Sequence, residues 1–208
     1  MPGAKADPES RRRQILEAAR KVAGQQGLDR LTVRQVALEA GLSSGLVFFH
    51  FQNKDALLLG LLDDLLTWLV AGDASAPAPH PPTTFPELIC SEVATSRAER
   101  ERTEILLQFW VLGLRNPDIR RRIRSALRRY QDLFLQAAQQ VVAELPEVGD
   151  RVTPESLAGL SVALVLGSEI ASLLEPKWFE KWSPTAPVDA LLTCHTPDPP
   201  GPRTASCS

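Results

Sequence analysis

The amino-acid sequence predicts an all-α protein in which a small N-terminal unit of three helices precedes a larger C-terminal helical bundle. Apolar residues recur at intervals of three and four positions along most of the chain, which is the spacing of an amphipathic helix. No segment alternates apolar and polar residues in the manner of a half-buried strand. Glycines and prolines fall between the periodic segments, where they end one helix and precede the next.

The composition is that of a globular protein with an uneven distribution of charge. The chain has 208 residues, of which 44% are hydrophobic and 23% are charged, and these values exclude wholesale disorder. The formal charge is −2, but residues 1–60 carry nine Lys/Arg against six Asp/Glu, while the remainder carries fourteen against nineteen. Any contact with nucleic acid is therefore expected near the N-terminus, because only that part is net basic.

Several classes of protein are disfavoured by the same sequence. The longest apolar segments are interrupted by acidic residues, such as Glu169 within Leu157–Leu174, so we expect no membrane-spanning helix. The basic N-terminus is not followed by the apolar segment of a signal peptide. Three scattered cysteines do not suit a disulfide framework or a zinc site. Since the N-terminus does not resemble a signal peptide, we expect a cytoplasmic protein. Because the sequence shows neither a nucleophile–base set nor a phosphate-binding loop, we also expect that it is not an enzyme and has no catalytic residue, metal or cofactor.

The first three predicted helices have recognisable caps and glycine ends. The first spans Pro8–Gly27, where the glycine ends it. Thr32 and Gln35 form a capping box for a short second helix, in which one side chain caps the helix and the other reaches back. After the break at Gly41, a third helix over Ser43–Phe49 begins with serine as a favourable N-cap.

Two short helices joined by a glycine turn have the dimensions of a helix-turn-helix. In such a motif the first helix supports the second, whose exposed face can enter the DNA major groove, roughly 12 Å wide. The residues predicted to form the small core between the helices are Val36, Ala37, Leu42, Val47 and Phe51. Those expected to remain outside it are Ser43, Ser44, Gly45, Phe49 and His50.

The rest of the chain is predicted to form a helical bundle behind a proline-rich linker. Asn53 caps a leucine-rich helix over Lys54–Val70. Five prolines mark Gly72–Pro86 as a linker or loop. The later segments predicted to be helical are 87–114 with a break near 96–99, 118–145, 154–174 and, weakly, 188–194.

The segment from Thr32 to Leu57 resembles the DNA-binding signature of TetR-family bacterial regulators. It reads TVRQVALEAGLSSGLVFFHFQNKDAL and matches the family pattern almost position for position. The stretch QFWVLGLRNPD at 108–118 is similar to the C-terminal domain of the BetI-like subgroup. The predicted organisation is a helix-turn-helix DNA-binding domain over 8–53, a regulatory and dimerisation domain over 54–195 and a disordered tail over 196–208.

The resemblance implies a homodimer with about nine to ten helices in each subunit. It also implies that the last two long helices form the dimer interface and that a ligand pocket in the C-terminal domain controls DNA affinity. By position, Thr32 and Lys54 would hold phosphates, while residues 44–46 and 49 would face the bases. The predicted DNA-binding residues are Thr32, Arg34, Ser43, Ser44, Gly45, Leu46, Phe48, Phe49, His50 and Lys54.

Two residues depart from the family pattern. Leu46 stands where threonine is common, and Phe48 stands where tyrosine is usual. Leu46 cannot hydrogen-bond a base but can contact a thymine methyl group, and Phe48 has no hydroxyl to offer a phosphate. We expect an altered operator preference. An alternative is a helical small-molecule-binding protein with a non-functional DNA-reading head, and these two residues are what favours it.

The C-terminal part contains many of the aromatic residues and a carboxylate in an apolar segment. A lone carboxylate such as Glu169 is costly to bury unless it is paired. One hypothesis is a pocket for a cationic or amphipathic effector, with aromatic faces for cation–π contact and Glu169 as countercharge. The alternative, favoured for Glu169, is that the aromatic residues are core and that it pairs with an arginine of a neighbouring helix or subunit. The candidate pocket residues are Phe109, Trp110, Tyr130, Phe134 and Glu169.

Small residues recur along the same segment and would permit close approach of a second helix, which suits a dimer interface. The candidate interface residues are Gly159, Ala163, Gly167 and Ala171. The predicted function is that of a ligand-responsive homodimeric transcriptional regulator. We expect a repressor that a small-molecule effector releases from a palindromic operator in double-stranded DNA. The protein is expected to be bacterial and nucleoid-associated, with no membrane partner.

Overall fold

A computed structural model describes residues 7–71 and 84–177 of the chain. Within these ranges the protein forms nine α-helices and no strand, so the all-α prediction is confirmed. Residues 72–83 of the predicted linker, the weak helix predicted over 188–194 and the predicted tail lie outside the described residues.

The N-terminal helices are those of the predicted three-helix unit. Helix α1 spans Pro8–Gln26, α2 spans Val33–Glu39 and α3 spans Ser44–Phe51. We call these three helices the reading head. Helix α3 runs two residues beyond its predicted end, because Phe51 is buried as part of the core. Helix α4, Lys54–Ala71, follows directly.

The local sequence explains where these helices begin and end. The turns after α1 and α2 place Gly27 at φ 85° and Gly41 at φ 66°, a left-handed region that favours glycine. The predicted capping box is present: the Gln35 N–H donates to Thr32 Oγ1 and the Thr32 N–H donates to Gln35 Oε1, at 3.3 Å and 3.0 Å. The Ser43 hydroxyl caps α3.

The remaining described helices form what we call the body. The predicted break between α5 and α6 is confirmed at Glu99, whose φ and ψ are −103° and 40°. The longest helix is α7, with 28 residues. The bounds are α5 Phe85–Ala98, α6 Arg100–Gly113, α7 Pro117–Glu144, α8 Pro146–Gly149 and α9 Pro154–Leu174.

Two local features of the body were not predicted. The predicted linker is wrong at its C-terminal end, because α5 already begins at Phe85. Thr84 and Glu87 form a second capping box, and Pro86 lies in the first helical turn, where its missing N–H costs nothing. The short helix α8 at Pro146–Gly149 was also not predicted. Pro146 follows the end of α7 and is also the first residue of α8.

One hydrophobic core continues from the reading head into the body through α4. The side chains of Leu57, Leu61 and Leu65 are fully buried along this helix. Helix α4 packs against α1 and α3 on the side of the head and against α6 and α7 on the side of the body. Because α4 is shared in this way, a displacement of α4 relative to the body will also move the reading head.

Helix α9 is the most exposed of the long apolar helices. It packs against α7 and α5, yet only 33% of its most apolar window is buried, and the mean hydropathy there is 1.9. By length and composition alone α9 is long and apolar enough to cross a membrane, although Glu169 interrupts it. This property does not decide the expectation of no membrane-spanning helix, which stays a prediction. The same properties occur in core helices of proteins that cross no membrane, and here Glu169 is buried within the bundle.

Candidate DNA-reading and effector sites

Helix α3 is held against α2 by the predicted small core. Val36 and Val47 are fully buried, and Ala37 and Phe51 are almost so. Leu42 is partly buried and packs on the same cluster. The Gln14 side-chain amide on α1 also donates to the carbonyl oxygen of Ala40 at 2.8 Å. The orientation of α3 is therefore fixed by apolar packing against α2, and the end of α2 is held by a hydrogen bond from α1.

The outer face of α3 carries the predicted base-reading residues. Phe49 is 79% exposed and Phe48 is 47% exposed. The ring of His50 meets the Phe49 ring edge-on, with centroids 5.4 Å apart, while a Cβ added to Gly45 would meet only the Ser43 hydroxyl oxygen, at 4.0 Å. The other residues predicted here, Ser44 and Leu46, are partly buried. Phe48 and Phe49 together leave two apolar rings exposed on one short helix, a surface that a binding partner could cover.

The predicted phosphate-holding residues flank this face. Thr32 is exposed at the N-terminus of α2, where its hydroxyl serves in the capping box, and Arg34 is exposed on the same helix. The Lys54 ammonium donates to the carbonyl oxygen of Asp29 at 3.3 Å. Lys54 thus fastens the start of α4 to the loop before α2, and its contact with phosphate stays a prediction.

A packed contact that sequence reasoning missed joins α3 to α4. The Arg12 guanidinium lies over the Phe51 ring, 4.5 Å from its centroid. Gly60 on α4 faces the same ring, and a Cβ there would lie 2.7 Å from Phe51 Cε1. Only glycine fits this position without displacement of the ring. At the end of α3, Gln52 adopts φ 55° and ψ −45°, a strained conformation for this residue type.

In the body, three helices bring a group of polar side chains into the interior. We call Glu92, Ser96, Tyr130 and Glu169 the acid cluster. The Tyr130 hydroxyl on α7 donates to Glu92 Oε2 on α5 at 2.8 Å. The Ser96 hydroxyl, one turn further along α5, donates to Glu169 Oε1 on α9. Tyr130 is fully buried, and Glu169 is 5% exposed.

The structure corrects the expected partner of Glu169 within the chain. An arginine of a neighbouring helix or subunit was favoured, whereas within the described residues of the single chain the carboxylate accepts a hydrogen bond from the Ser96 hydroxyl. Pairing with an arginine of a second subunit stays a prediction. Because Glu92 and Ser96 are four residues apart on α5, they lie on the same face of the helix. The two carboxyl groups are thus neighbours, and the Tyr130 hydroxyl and the Ser96 hydroxyl are their hydrogen-bond donors.

The environment of the acid cluster disfavours negative charge. Burial raises the pKa of the Glu169 carboxyl, against the lowering effect of the Ser96 hydrogen bond, and the nearby Glu92 raises it further. Burial also raises the pKa of the Glu92 carboxyl, while the hydrogen bond from Tyr130 lowers it. Burial and the two carboxylates raise the pKa of the Tyr130 hydroxyl, so it remains a donor. A bound cation would relieve the cost of ionising both carboxyl groups.

Glu92 and Ser96 were not predicted as site residues, although both lie on the apolar side of α5. The buried side of α5 carries Phe85, Ile89 and Val93. Glu92 and Ser96 follow Ile89 at three and seven positions, which places them on that same apolar face. Polar residues at apolar-face positions are the signal that could have found them.

Of the other candidate pocket residues, Phe134 contacts the acid cluster. Phe134 is fully buried and meets the Tyr130 ring edge-on, with centroids 5.5 Å apart. Phe109 is fully buried on α6, and its neighbour Trp110 is partly buried. The indole Nε1 of Trp110 is buried without a hydrogen-bond partner among the described residues. Burying such a donor unpaired is costly.

A small pocket lies beside the acid cluster, near the C-terminal ends of α5 and α9. Its volume is about 150 Å³, and it is lined by Ser96, Arg100, Ser172, Leu173 and Pro176. Ser96 is thus shared between this pocket and the carboxylate of Glu169. Arg100 donates to the Leu173 carbonyl oxygen at 3.2 Å, so a hydrogen bond between α6 and α9 borders the pocket.

The outer face of α9 carries what we call the apolar stripe, formed by Leu160, Ala163, Gly167, Ile170 and Leu174. Its members follow one another at three or four positions and are all exposed, with 63% for Leu160 and 79% for Leu174. A Cβ added to Gly167 would meet nothing within 4 Å. Of the other predicted interface residues, Gly159 lies against Gln131 of α7, and Ala171 packs on the core.

The raised pKa values predict that the protein loses stability as the pH rises. Above the ordinary carboxyl value of 4.5, the unfolded chain releases protons that the folded chain still holds, so the free energy of unfolding falls. This loss continues until the pH passes the folded-state pKa values of Glu92 and Glu169. Glu169→Gln, which is neutral at every pH, should therefore melt about 2–4 °C higher than the parent chain at pH 8, which corresponds to roughly 1 kcal/mol.

The measurement is thermal unfolding followed by circular dichroism between pH 4.5 and pH 8.5. At pH 4.5 the variant and the parent chain should melt together. Glu175→Gln, which changes an exposed carboxylate just beyond α9, is the matched control and should follow the parent chain throughout. Parallel profiles for Glu169→Gln and the parent chain would show that this carboxyl does not titrate in the expected way.

Comparison with known proteins follows the division into reading head and body. Residues 15–61 match the model for bacterial regulatory proteins of the tetR family. Residues 87–193 match the model for the C-terminal domain of BetI-type transcriptional repressors. The first match includes the helix-turn-helix, and the second includes every residue of the acid cluster.

Individual relatives agree with these models. The HTH-type transcriptional regulator BetI of Brucella suis is 32% identical over 137 residues, which are 64% of this chain and 68% of the relative. A TetR transcription regulator from Haloarcula marismortui has a TM-score of 0.71 at 16% identity, covering 88% of this chain and 96% of the other. A transcriptional regulator from Saccharomonospora viridis, solved in complex with choline, has a TM-score of 0.61 at 20% identity, with coverages of 87% and 92%.

The structural likenesses establish the fold, and the sequence matches establish the family. The C-terminal model alone spans about half of the chain, and the N-terminal model spans the signature first noticed in the sequence. The prediction that the protein is not an enzyme agrees with this family of transcriptional regulators. The chain therefore belongs to the tetR family of bacterial regulatory proteins, with a C-terminal domain of the BetI type.

Proposed function

We propose that the protein is a homodimeric transcriptional repressor that binds a palindromic operator and is released from it by a small-molecule effector. The observation that carries the DNA-binding part is the exposed face of α3, where Phe49 is 79% exposed on a helix fixed by buried packing. A rigid helix with an exposed apolar and polar surface has the form needed to read base edges in the major groove.

The dimer is supported by the apolar stripe on α9. Exposed leucine and isoleucine side chains on both sides of Gly167 form a contiguous surface that a second copy would remove from water. The small residues within the stripe let two helices approach closely. A two-fold dimer would present two α3 helices to successive major grooves of one DNA face, about 34–36 Å apart.

The effector is proposed to be a small organic cation that interacts with the acid cluster. Glu92 and Glu169 place two carboxyl groups together without a described cationic partner. A cation would balance their charge, and aromatic rings such as Tyr130 offer faces to it. The Saccharomonospora viridis regulator, which shares this fold, was solved in complex with choline. Phe134, which lies against Tyr130, would belong to the same pocket, and Phe109 and Trp110 stay predicted pocket residues.

Release from DNA requires the effector to distinguish two arrangements of the dimer. Ionisation of both carboxyl groups beside a cation would favour a body in which α5, α7 and α9 are repacked. Since α4 packs against α7 and also against the reading head, this repacking would change the distance between the two α3 helices. An operator of fixed spacing would then be bound less tightly, by about 5–150-fold if the coupling is typical. The protein would act in the cytoplasm on the nucleoid.

The effector proposal predicts that a cation weakens operator binding through Glu169. The probe is choline, titrated into a complex of the full chain with fluorescently labelled DNA from the region upstream of its own gene. Anisotropy should show operator affinity falling about 5–150-fold for the parent chain. Glu169→Gln should bind the same DNA with little response to choline, because the countercharge is gone.

Glu175→Gln serves as the control, since this glutamate is exposed at the end of α9, and it should respond as the parent chain does. An undiminished choline response in Glu169→Gln would show that the effector binds elsewhere. A parent chain that binds operator but responds neither to choline nor to tetramethylammonium would contradict the cationic effector and leave the DNA-binding proposal intact.

A further inference from the structure

Helix α6 lies between the reading head and the interior of the body. It packs against α1 on one side and against α7 and α9 on the other. Two of its side chains form polar contacts with the head. Glu101 Oε1 pairs with Arg20 Nη1 at 2.7 Å, and Gln108 Oε1 accepts a hydrogen bond from the Leu28 N–H at 2.9 Å. Because Glu101 and Gln108 are seven residues apart, they lie on the same face of α6, two turns from each other.

The Gln108 contact is made at the entrance to the helix-turn-helix. Leu28 follows Gly27, where the chain turns out of α1 at φ 85°, and Leu28 itself is 3% exposed. Gln108 Oε1 lies close to this turn, 3.4 Å from the position of a Cβ added to Gly27. The next cap along the chain is Thr32 at the start of α2. Gln108 therefore holds the backbone at the point from which α2 is directed.

The two polar contacts of α6 differ in what their loss would do. The Arg20–Glu101 pair is partly solvated, with side-chain exposures of 21% and 47%, and exposed ion pairs of this kind contribute little. The bond to Leu28 is partly buried, so its loss would leave a backbone N–H without a partner. Loss of the Gln108 hydrogen bond should therefore displace the reading head more than loss of the Arg20–Glu101 ion pair.

The same short segment of α6 also reaches the interior of the body. Phe109, directly after Gln108, is fully buried. Successive helical residues point about 100° apart, so the two side chains face different surroundings. A shift or rotation of α6 that follows repacking around Phe109 must move Gln108 and, with it, the turn at Leu28. Helix α6 therefore connects the interior of the body to the reading head.

We propose that Gln108 is the positioning residue that fixes the angle of the reading head on α6 and thereby sets the half-site spacing that the dimer recognises. The inference rests on the proposed function, because it assumes that the chain reads a two-part operator as a dimer. In this proposal the link between the body and the reading head is an uncharged side chain bonded to a backbone amide. Half-site spacing then depends on the acceptor oxygen at Gln108 rather than on contacts with the bases.

The test measures discrimination between operator spacings. The DNA is a duplex selected from a random library by the full-length parent chain, and a second duplex carries one extra base pair between the half-sites. The parent chain should prefer the selected spacing at least about tenfold. Gln108→Leu, which has no acceptor, should reduce that preference to less than about threefold. Gln108→Glu keeps an acceptor oxygen at the same place and should retain most of it.

Two further variants make the outcome decisive. Gln108→Met, whose flexible side chain fills a similar space, replaces the leucine variant if that one does not fold. Glu101→Gln breaks the exposed ion pair only and should keep the parent preference. The inference is overturned if the leucine and methionine variants discriminate spacing as the parent chain does, or if Gln108→Glu loses as much as Gln108→Leu. A parent chain that enriches no DNA sequence overturns the proposed function and this inference with it.

Discussion

Gly167→Arg is expected to convert the proposed dimer into folded monomers. A Cβ at this position meets nothing within 4 Å in a single chain, and replacing glycine within a helix removes a cost of about 1 kcal/mol. The isolated subunit should therefore remain folded. In the dimer the same side chain would be forced between two closely packed helices and would bury a charge. We expect the dimer dissociation constant to rise by about 100-fold or more.

The measurement is the molar mass in solution over a range of protein concentrations, together with far-ultraviolet circular dichroism. Gln25→Arg introduces the same side chain at an exposed position of α1 and should leave the dimer unchanged. Operator affinity should fall when the dimer is lost, because a single reading head contacts only half of the site. A Gly167→Arg chain that is still dimeric at low concentration would show that the apolar stripe is not the interface.

Phe49→Ala is expected to remove sequence-selective DNA binding while leaving the fold intact. The ring is 79% exposed, so its loss creates no cavity in the core. A lost base contact costs about 1–3 kcal/mol, and the change occurs once in each subunit of the dimer. Operator affinity should therefore fall by at least about tenfold in fluorescence anisotropy. Binding to unrelated DNA should change little, because phosphate contacts dominate it.

The control for this variant removes an equally exposed apolar side chain from another surface. Leu114, at the end of α6, is 75% exposed, and Leu114→Ala should bind operator as the parent chain does. Equal loss of affinity for operator and unrelated DNA in Phe49→Ala would point to a general effect on the head. Unchanged selectivity would exclude Phe49 from base reading.

The fold was largely predictable because the local signals agree with the tertiary structure. The capping box at Thr32, the glycine turns and the serine cap of α3 each depend on a few adjacent residues, and all are present. The apolar periodicity located the long helices to within one or two residues. The start of α5 was misplaced because Pro86 ends helices in most positions but is favoured in a first turn.

The proposed effector site was only half predictable, because its side chains come from helices distant in sequence. Glu169 could be recognised as a carboxylate in an apolar segment, but its partner Ser96 is 73 residues away. The expected arginine rested on what a buried carboxylate commonly needs, whereas the donor found within the described residues is the Ser96 hydroxyl. Gln108 begins the stretch that resembles the BetI-like subgroup, but nothing in the sequence indicated its contact. That contact is with a backbone amide whose position depends on the packing of α6 against α1.

The most direct test of the account is selection of DNA from a random-sequence library by the full-length chain, followed by titration of the enriched duplex at two salt concentrations. We predict a two-fold symmetric sequence whose half-sites are one helical turn, or a multiple of it, apart. Affinity for it should fall steeply as salt is raised, because phosphate contacts supply much of the binding. Failure to enrich any sequence, with folded dimer present throughout, would contradict the assignment of α3 as a reading helix and leave a helical protein that binds small molecules alone.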